Sequence, residues 1–202
     1  MKTILALEAS SDLASVALWR NEGVFAGQEF ASKRSLSADL FPVLERLLEG
    51  VPVIDTIVVG LGPGSYAGVR ITIAAALGLQ SVWGCDLVGI PSVAALGSVT
   101  ESYQAIGDAR RGTWYYSRVR DGLCEEGPLL LESAEKLRAA LSRGVGPVRS
   151  SEALPPEWNS QMHAPKAAIL AELAARSRGI LQRSNLEPLY LREPHITVAA
   201  LR

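Results

Sequence analysis

The residues most able to do chemistry lie in one glycine-rich segment, GLGPGSYAGVR at residues 60–70. It follows the apolar run TIVV, which is typical of a buried strand, and it precedes a segment with the composition of a helix. Such a turn presents backbone N–H groups to an anion, and the missing Cβ atoms also let a second backbone approach closely. A phosphate, a metal-bound substrate and another protein therefore all remain open as its partner.

Two common phosphate-binding motifs do not fit this segment. A P-loop requires Lys and then Ser or Thr after its last glycine, whereas Val69 and Arg70 follow Gly68. The spacing from Gly62 to Gly68 is one residue too long for the dinucleotide motif G-x-G-x-x-G. A structural alternative is a tight strand-to-helix turn with Ser65 as its N-cap, although this alternative does not explain Arg70.

The composition argues against several classes of protein. The 202 residues carry a formal net charge of −1 without a run of Lys or Arg, so we expect weak binding to nucleic acid by this chain alone. Cys85 and Cys124 are far apart and have no clustered His, which favours free thiols. Glu8 and Asp12 interrupt the apolar start, and no segment reaches the ~18 apolar residues of a membrane span. We expect a cytoplasmic protein without a membrane partner.

The elements that must position the glycine-rich segment form two similar series. Strands are predicted at residues 3–9, 13–20 and 24–31, followed by a helix from residue 37 whose apolar face includes Leu40 and Leu44. Strands at 55–61 and 86–90 flank a second helix at 65–83. The order strand-strand-strand-helix recurs over residues 102–143, and a last helix is predicted at 165–181. We therefore predict an N-terminal lobe of residues 1–98 and a smaller C-terminal lobe of residues 99–202.

The predicted helix after the glycine-rich turn is apolar on nearly every side. A helix on the surface of a globular protein normally has a polar face. Ala74 and Gly78 are small, so a neighbouring helix can approach closely there. Either the second lobe or a partner subunit must cover this helix, and the pattern points to association.

Four motifs spread along the chain resemble the TsaB (YeaZ) family. They are ILALEAS at residues 4–10, GPGSYAGVR at 62–70, DARRG at 108–112 and EPLYLR at 187–192. The resemblance implies an α/β fold of the actin-like ATPase (ASKHA, ribonuclease H-like) type, with two βββαβα lobes of which the second is trimmed. It also implies a non-catalytic subunit that is required by a TsaD-like catalytic subunit, which transfers a threonylcarbamoyl group to the tRNA adenosine beside the anticodon.

The resemblance implies further partners and an interface. A TsaE-like ATPase would bind the pair, and tRNA would be contacted only through the complex. Because an exposed apolar helix is rarely left in water, we also expect the isolated chain to form a homodimer through the same surface. This chain would require no cofactor of its own, although ATP or ADP can be expected at a subunit interface. The residues expected at the partner interface are Leu40, Leu44, Gly64, Ser65, Tyr66, Gly68, Val69, Arg70, Ile73, Ala74, Leu77 and Gly78.

The chain departs from the family pattern at several positions. Glu8 stands where most relatives have Asp, and Leu36-Ser37-Ala38 stands in place of His-Ser-Glu. Ser92 and Leu96 occupy the positions at which TsaD-like members carry two metal-binding His, so the resemblance predicts no catalytic residue and no metal site in this chain. A vestigial nucleotide cleft is expected from Glu8, Ser10, Ser11, Asp108 and Arg110.

The main alternative is an actin-fold enzyme, either a phosphotransferase or an ATPase. Glu8, Ser10 and Asp108 would then surround a nucleotide, with Asp108 and Arg110 suited to Mg²⁺-phosphate chemistry. In the simpler interpretation, which we favour, Asp108 and Arg110 pair with each other or cap a turn. A metallopeptidase does not fit, because the chain has no H-E-x-x-H motif and its two His, His163 and His195, lie in separate loops.

Overall fold

The computed structural model describes residues 2–31 and 36–191, and its strands closely follow the predicted series. The first strands are β1 (Thr3–Glu8), β2 (Leu13–Arg20), β3 (Gly23–Ala31), β4 (Thr56–Gly60) and β5 (Asp86–Ile90). The later strands are β6 (Ser102–Asp108), β7 (Trp114–Arg120), β8 (Leu123–Leu131), β9 (Val148–Ser150), β10 (Gln161–Met162) and β11 (Gln182–Arg183). The helices are α1 (Leu36–Leu48), α2 (Tyr66–Trp83), α3 (Ala134–Arg143) and α4 (Ala167–Ala175), with short 3₁₀ turns at Ser92–Ala95 and Pro156–Trp158.

The strands form two sheets with the same internal order. The first sheet runs β11-β5-β4-β1-β2-β3 and the second runs β10-β9-β6-β7-β8. In each sheet the first three strands pair antiparallel, and the next strand in the chain pairs parallel with the first of them. The recurrence read from the sequence is therefore also present in the topology.

The first sheet is covered on both faces. Leu5 and Leu7 of β1 point to the α1 and α2 side, where Leu40 packs against them. The alternate residues Ile4 and Ala6 point to the other side, where α4 covers them. A strand buried on both faces is apolar throughout, which explains why β1 and β4 are continuous apolar runs.

The second sheet is smaller and carries less helix. Helix α3 covers one face through Leu137, and the 3₁₀ turn at Ser92–Ala95 packs on the other face beside Tyr103. Only a three-residue 3₁₀ turn lies between β9 and β10, whereas the 18-residue α2 lies between β4 and β5. The second lobe is therefore trimmed at the position that corresponds to α2.

The end of the described chain returns to the first sheet. Helix α4 contacts β1, β2 and β4, and β11 pairs with β5. The helix predicted at 165–181 is shorter in the structure, ending at Ala175, and the segment after it turns back toward β5. The boundary near residues 98–101 stays a prediction, since residues that follow it complete the first sheet.

Within the described residues, no helix is long and apolar enough to span a bilayer.

Candidate functional site

The glycine-rich segment forms a tight turn between β4 and α2. Gly62 and Gly64 have φ angles of 88° and 152°, a backbone region that favours glycine. Ser65 is the N-cap of α2, and its hydroxyl accepts a hydrogen bond from the N–H of Gly68 at 3.2 Å. The structural prediction for this segment, a turn capped by Ser65, is confirmed.

The second backbone that approaches this turn belongs to the same chain. A Cβ at Gly64 would lie 2.1 Å from the carbonyl oxygen of Ser10, and a Cβ at Gly68 would lie 2.0 Å from that of Ala9. The N–H of Ser65 donates to the Ser10 carbonyl at 2.7 Å. Because these two positions are glycine, the backbone at the start of α2 packs directly against the backbone that follows β1.

The N–H groups of the turn are largely used inside the chain. Gly62 donates to the hydroxyl of Ser92 at 3.0 Å, and Ser65 and Gly68 donate as described above. A phosphate-binding turn must direct such groups toward its ligand. This geometry favours a packing role for the turn over a phosphate-binding role.

Glu8 lies at the end of β1 and is only 1% exposed. Its Oε1 accepts a hydrogen bond from the N–H of Ser10 at 2.6 Å. Its Oε2 lies over Gly60, where a Cβ would be only 1.7 Å away. Burial raises the pKa of Glu8 above the usual range for a glutamate, and hydrogen bonds from Ser10 oppose this shift. The carboxyl is a packed core group rather than an open ligand for a nucleotide.

Asp108 and Arg110 lie at the equivalent end of the second sheet. The N–H of Arg110 donates to Asp108 Oδ1 at 2.6 Å, and Arg110 Nη1 lies 3.3 Å from Asp108 Oδ2. Their side chains are 36% and 78% exposed, respectively. The expectation that these two residues pair with each other is confirmed.

The five residues expected in a vestigial cleft are thus found in two different settings. Glu8, Ser10 and Ser11 are buried, whereas Asp108 is partly exposed and Arg110 is exposed. Two surface cavities, of about 400 Å³ and 210 Å³, are lined by none of the five. Glu8 itself is not accessible to a ligand in this structure, and the vestigial cleft stays a prediction.

Helix α2 has one face that is largely exposed in the part of the chain that the structure describes. The exposed α2 face consists of Tyr66, Ala67, Arg70, Ala74, Leu77, Gly78, Ser81 and Val82. Leu77 and Val82 are 43% and 74% exposed. A Cβ at Gly78 would have nothing within 4 Å, so the helix surface is open there. Among the described residues of the second lobe, Tyr190 contacts this face at Tyr66, while the surface around Gly78 is left open.

Part of the expected partner interface is corrected by burial. Leu40, Leu44, Val69 and Ile73 belong to the core beneath the helices, at 1–7% exposure, and Gly68 is buried against Ala9. These residues position the helices but offer no surface to a partner. The expected residues that are exposed are Gly64, Ser65, Tyr66, Arg70, Ala74, Leu77 and Gly78.

Sequence reasoning missed two exposed residues near this face. Phe41 of α1 is 56% exposed, because it lies off the apolar face that packs on the sheet. Tyr190 stacks on Tyr66 with ring centroids 5.4 Å apart, although 124 positions separate them in the chain. The EPLYLR motif contained the signal for Tyr190, but nothing in it indicated which element it would contact.

The positions that the resemblance aligned with a metal site are buried. Ser92 and Leu96 are 0% and 3% exposed, and the Ser92 hydroxyl bonds the glycine turn. Within the described residues, no three His, Cys, Asp or Glu side chains are grouped as metal ligands would be. Burial and the nearby charge of Arg149 lower the pKa of His163, and His195 lies outside the described residues.

Comparisons with known proteins agree with the resemblance. A family model described as TsaD, tRNA N6-adenosine threonylcarbamoyltransferase, matches residues 29–145, more than half of the chain. The tRNA threonylcarbamoyladenosine biosynthesis protein TsaB of Haemophilus influenzae is 32% identical over 130 residues, which cover 58% of this chain and 53% of that protein. TsaB of Bacillus subtilis is 32% identical over 137 residues, which cover 61% of this chain and 58% of that protein.

A solved structure extends the similarity to nearly the whole chain. YeaZ from Pseudomonas aeruginosa has a TM-score of 0.73 and 25% identity, and the match covers 95% of this chain and 100% of that one. The sequence matches to the two TsaB proteins span little more than half of their length. The two-sheet architecture and these matches confirm the predicted actin-like fold. The chain belongs to the family of the TsaD model and, within it, to the TsaB (YeaZ) proteins.

Proposed function

We propose that this chain is a non-catalytic, cytoplasmic subunit in the synthesis of threonylcarbamoyladenosine on tRNA. It binds a TsaD-like catalytic subunit through the exposed α2 face and is required for threonylcarbamoyl transfer. The observation that carries the proposal is this largely exposed apolar face, in a chain whose relatives are named for the biosynthesis of that nucleoside. An exposed apolar face of this kind marks an association surface.

The packing of the glycine turn supports a scaffold role. Because Gly64 and Gly68 seat α2 directly on β1, the exposed face is presented by the rigid centre of the first sheet. A preorganised surface loses little conformational freedom on binding, which favours affinity. The partner gains a fixed platform, and this chain contributes to a composite surface without acting on the substrate.

The same observations weigh against the alternative of an actin-fold phosphotransferase or ATPase. Glu8 is buried and has a raised pKa, so it is poorly suited to hold a hydrated Mg²⁺ ion. Asp108 is engaged by the N–H and guanidinium of Arg110. Burial therefore closes off Glu8, and pairing with Arg110 engages Asp108, which weighs against metal-phosphate chemistry at either carboxyl group.

The remaining partners follow from the same proposal. A TsaE-like ATPase binds the assembled pair, ATP or ADP lies at a subunit interface, and tRNA is reached only through the complex. In the absence of its partner the chain pairs with itself through the same apolar face, because that face is otherwise left in water.

The proposal is tested by reconstituting tRNA modification with purified proteins from one organism. The TsaD-like and TsaE-like proteins, the threonylcarbamoyl adenylate, ATP and tRNA are incubated with and without this chain, and modified adenosine is measured by mass spectrometry. We expect modification only when the chain is present. Full modification without it would overturn the proposal. ATP hydrolysis by the isolated chain that is lost in Asp108→Asn would instead establish the enzyme alternative.

A further inference from the structure

The exposed α2 face carries a single charged residue. The helix sequence YAGVRITIAAALGLQSVW contains Arg70 and no other charged side chain. Arg70 is exposed, and within the described residues its guanidinium makes no ion pair. The face is therefore mostly apolar, with one positive charge near its N-terminal end that no described residue pairs with in an ion pair.

Arg70 is held in place by an aromatic neighbour. Its Cζ lies 5.1 Å from the centre of the Tyr66 ring, and its Nη1 donates a hydrogen bond to the Tyr66 phenol oxygen. Hydrogen bonds from Tyr190 and from Arg70 lower the pKa of Tyr66. An exposed Arg usually samples many rotamers, so these contacts reduce the freedom that it must lose on binding.

Tyr190 comes from the far end of the described chain. The N–H of Leu189 donates to the Leu61 carbonyl at 2.8 Å, which fixes this segment against the base of the glycine turn. The side chain of Leu189 packs against the core under α2, and the next residue, Tyr190, then stacks on Tyr66. We call Tyr66, Arg70 and Tyr190 the tyrosine–arginine clamp.

We infer that the tyrosine–arginine clamp binds a carboxylate side chain of the partner subunit, an inference that rests on the proposed function. A guanidinium offers a planar set of N–H donors that matches a carboxylate, and only one of those donors is used by Tyr66. The surrounding Ala67 and Ala74 are small, so a partner helix can bring an acidic residue close. A nucleic acid does not fit, because its phosphates require several cations and this face has one.

The clamp also distinguishes the partner from a second copy of this chain. When two α2 faces pack on each other, neither supplies an acidic residue to Arg70, since the helix contains none. Self-association through α2 alone then leaves both guanidinium groups without a counter-charge from the facing helix. A carboxylate on the partner subunit pairs with Arg70, so the clamp favours the complex with the partner over the homodimer.

The inference is tested by measuring dissociation constants for variants of the clamp. Arg70→Ala and Tyr190→Phe are compared with Arg143→Ala, a matched control that removes an exposed arginine from α3. Binding to the TsaD-like protein from the same organism is measured by titration calorimetry at about 50 mM and about 500 mM salt. Self-association of each variant is measured by analytical ultracentrifugation, and folding by circular dichroism.

We expect Arg70→Ala to weaken heterologous binding by at least about tenfold at low salt and to remove most of its salt dependence. Tyr190→Phe keeps the ring but loses the hydroxyl, so a smaller loss of about threefold is expected. Self-association of Arg70→Ala is expected to be unchanged or stronger, and Arg143→Ala to behave like the wild type. An acidic partner residue whose change to Arg restores binding to Arg70→Glu would identify the carboxylate.

Three results would overturn the inference. If the wild-type chain binds the partner and folded Arg70→Ala binds equally well with the same salt dependence, the clamp does not recognise a carboxylate, while the proposed function stands. If the wild-type chain does not bind the partner at all, both the proposed function and the inference fail. Equal weakening of self-association and heterologous binding would also contradict the claim that Arg70 selects the partner.

Discussion

The two sheets end their first strands with a carboxylate in equivalent positions but in different surroundings. Glu8 ends β1, and its carboxylate accepts a hydrogen bond from the N–H of Ser10. Asp108 ends β6, and its carboxylate accepts one from the N–H of Arg110. In both cases the donor lies two residues further along the chain, and the N–O distance is 2.6 Å. Glu8 is sealed under the glycine turn, whereas Asp108 remains on the surface beside a guanidinium. The same hydrogen bond from a backbone N–H to a carboxylate thus lies in the core of one lobe and in an exposed hairpin of the other.

The difference follows from the element that comes after the fourth strand of each sheet. In the first lobe the glycine turn and α2 cover the end of β1, and in the second lobe a 3₁₀ turn stands in place of such a helix. The carboxyl of Glu8 is enclosed by Gly60 and Ser10, and the helix that follows the glycine turn presents an exposed face to solvent. The buried carboxyl and the exposed helix face therefore both belong to the region around the glycine turn, which the second lobe lacks.

The largest effect is expected from filling the space between the glycine turn and β1. Gly64→Ala and Gly68→Ala each place a Cβ near 2 Å from a backbone oxygen, and φ at Gly64 is also unfavourable for alanine. We expect each change to lower the free energy of unfolding by about 3 kcal/mol or more in denaturant titrations. Gly78→Ala is the matched control, and we expect it to raise stability by about 0.5–1 kcal/mol because its site in α2 is open. If alanine at all three glycines changed the free energy of unfolding equally, the close approach of the glycine turn to the end of β1 would be refuted.

A smaller, pH-dependent effect is expected from Glu8→Gln. Because burial raises the pKa of Glu8, the folded state keeps a proton that the unfolded chain releases above about pH 4.3. The stability of the wild type therefore falls as pH rises from that value through the raised pKa, relative to the uncharged variant. Chemical unfolding at several pH values measures this difference. A difference between the two proteins that does not change with pH would show that Glu8 is not shifted by burial.

The smallest effect is expected from Asp108→Asn, which alters the equivalent position in the second lobe. Asp108 and Arg110 form an exposed pair, and such pairs contribute between zero and about 1 kcal/mol. We expect the free energy of unfolding to change by less than about 1 kcal/mol in the same measurements. Because salt screens an exposed ion pair, the difference between the wild type and Asp108→Asn should be smaller still at high salt. A loss as large as that from the turn glycines would mean that the two lobes use their carboxylates alike.

Much of the fold was accessible from periodicity, because most strands and helices are bounded by turn residues. The predicted strands at 13–20 and 86–90 have the observed bounds, and the repeat of three strands and a helix matches the topology. The last helix was predicted too long, since the apolar residue Ile180 lies beyond the end of α4 in a segment that packs beside β5. Periodicity alone does not separate a helix from the apolar loop that follows it.

The site was harder to predict than the fold. The sequence indicated that a backbone approaches the glycines, but the approaching residues, Ala9 and Ser10, lie more than 50 positions earlier in the chain. Helix α2 is apolar on most sides, so its pattern could not separate buried Val69 and Ile73 from exposed Leu77. The distinction depends on which side of α2 faces the first sheet, and the geometry of the glycine turn determines that side.

The central claim, that the exposed α2 face docks the partner, is tested most directly by size-exclusion chromatography with light scattering. Wild type, Gly78→Arg and the matched control Ala139→Arg on α3 are each run alone and mixed with the TsaD-like protein from the same organism. Both substituted positions are exposed on helices, so both variants are expected to fold. We predict that wild type and Ala139→Arg form the heterodimer and Gly78→Arg does not. Undiminished heterodimer formation by folded Gly78→Arg would contradict the claim.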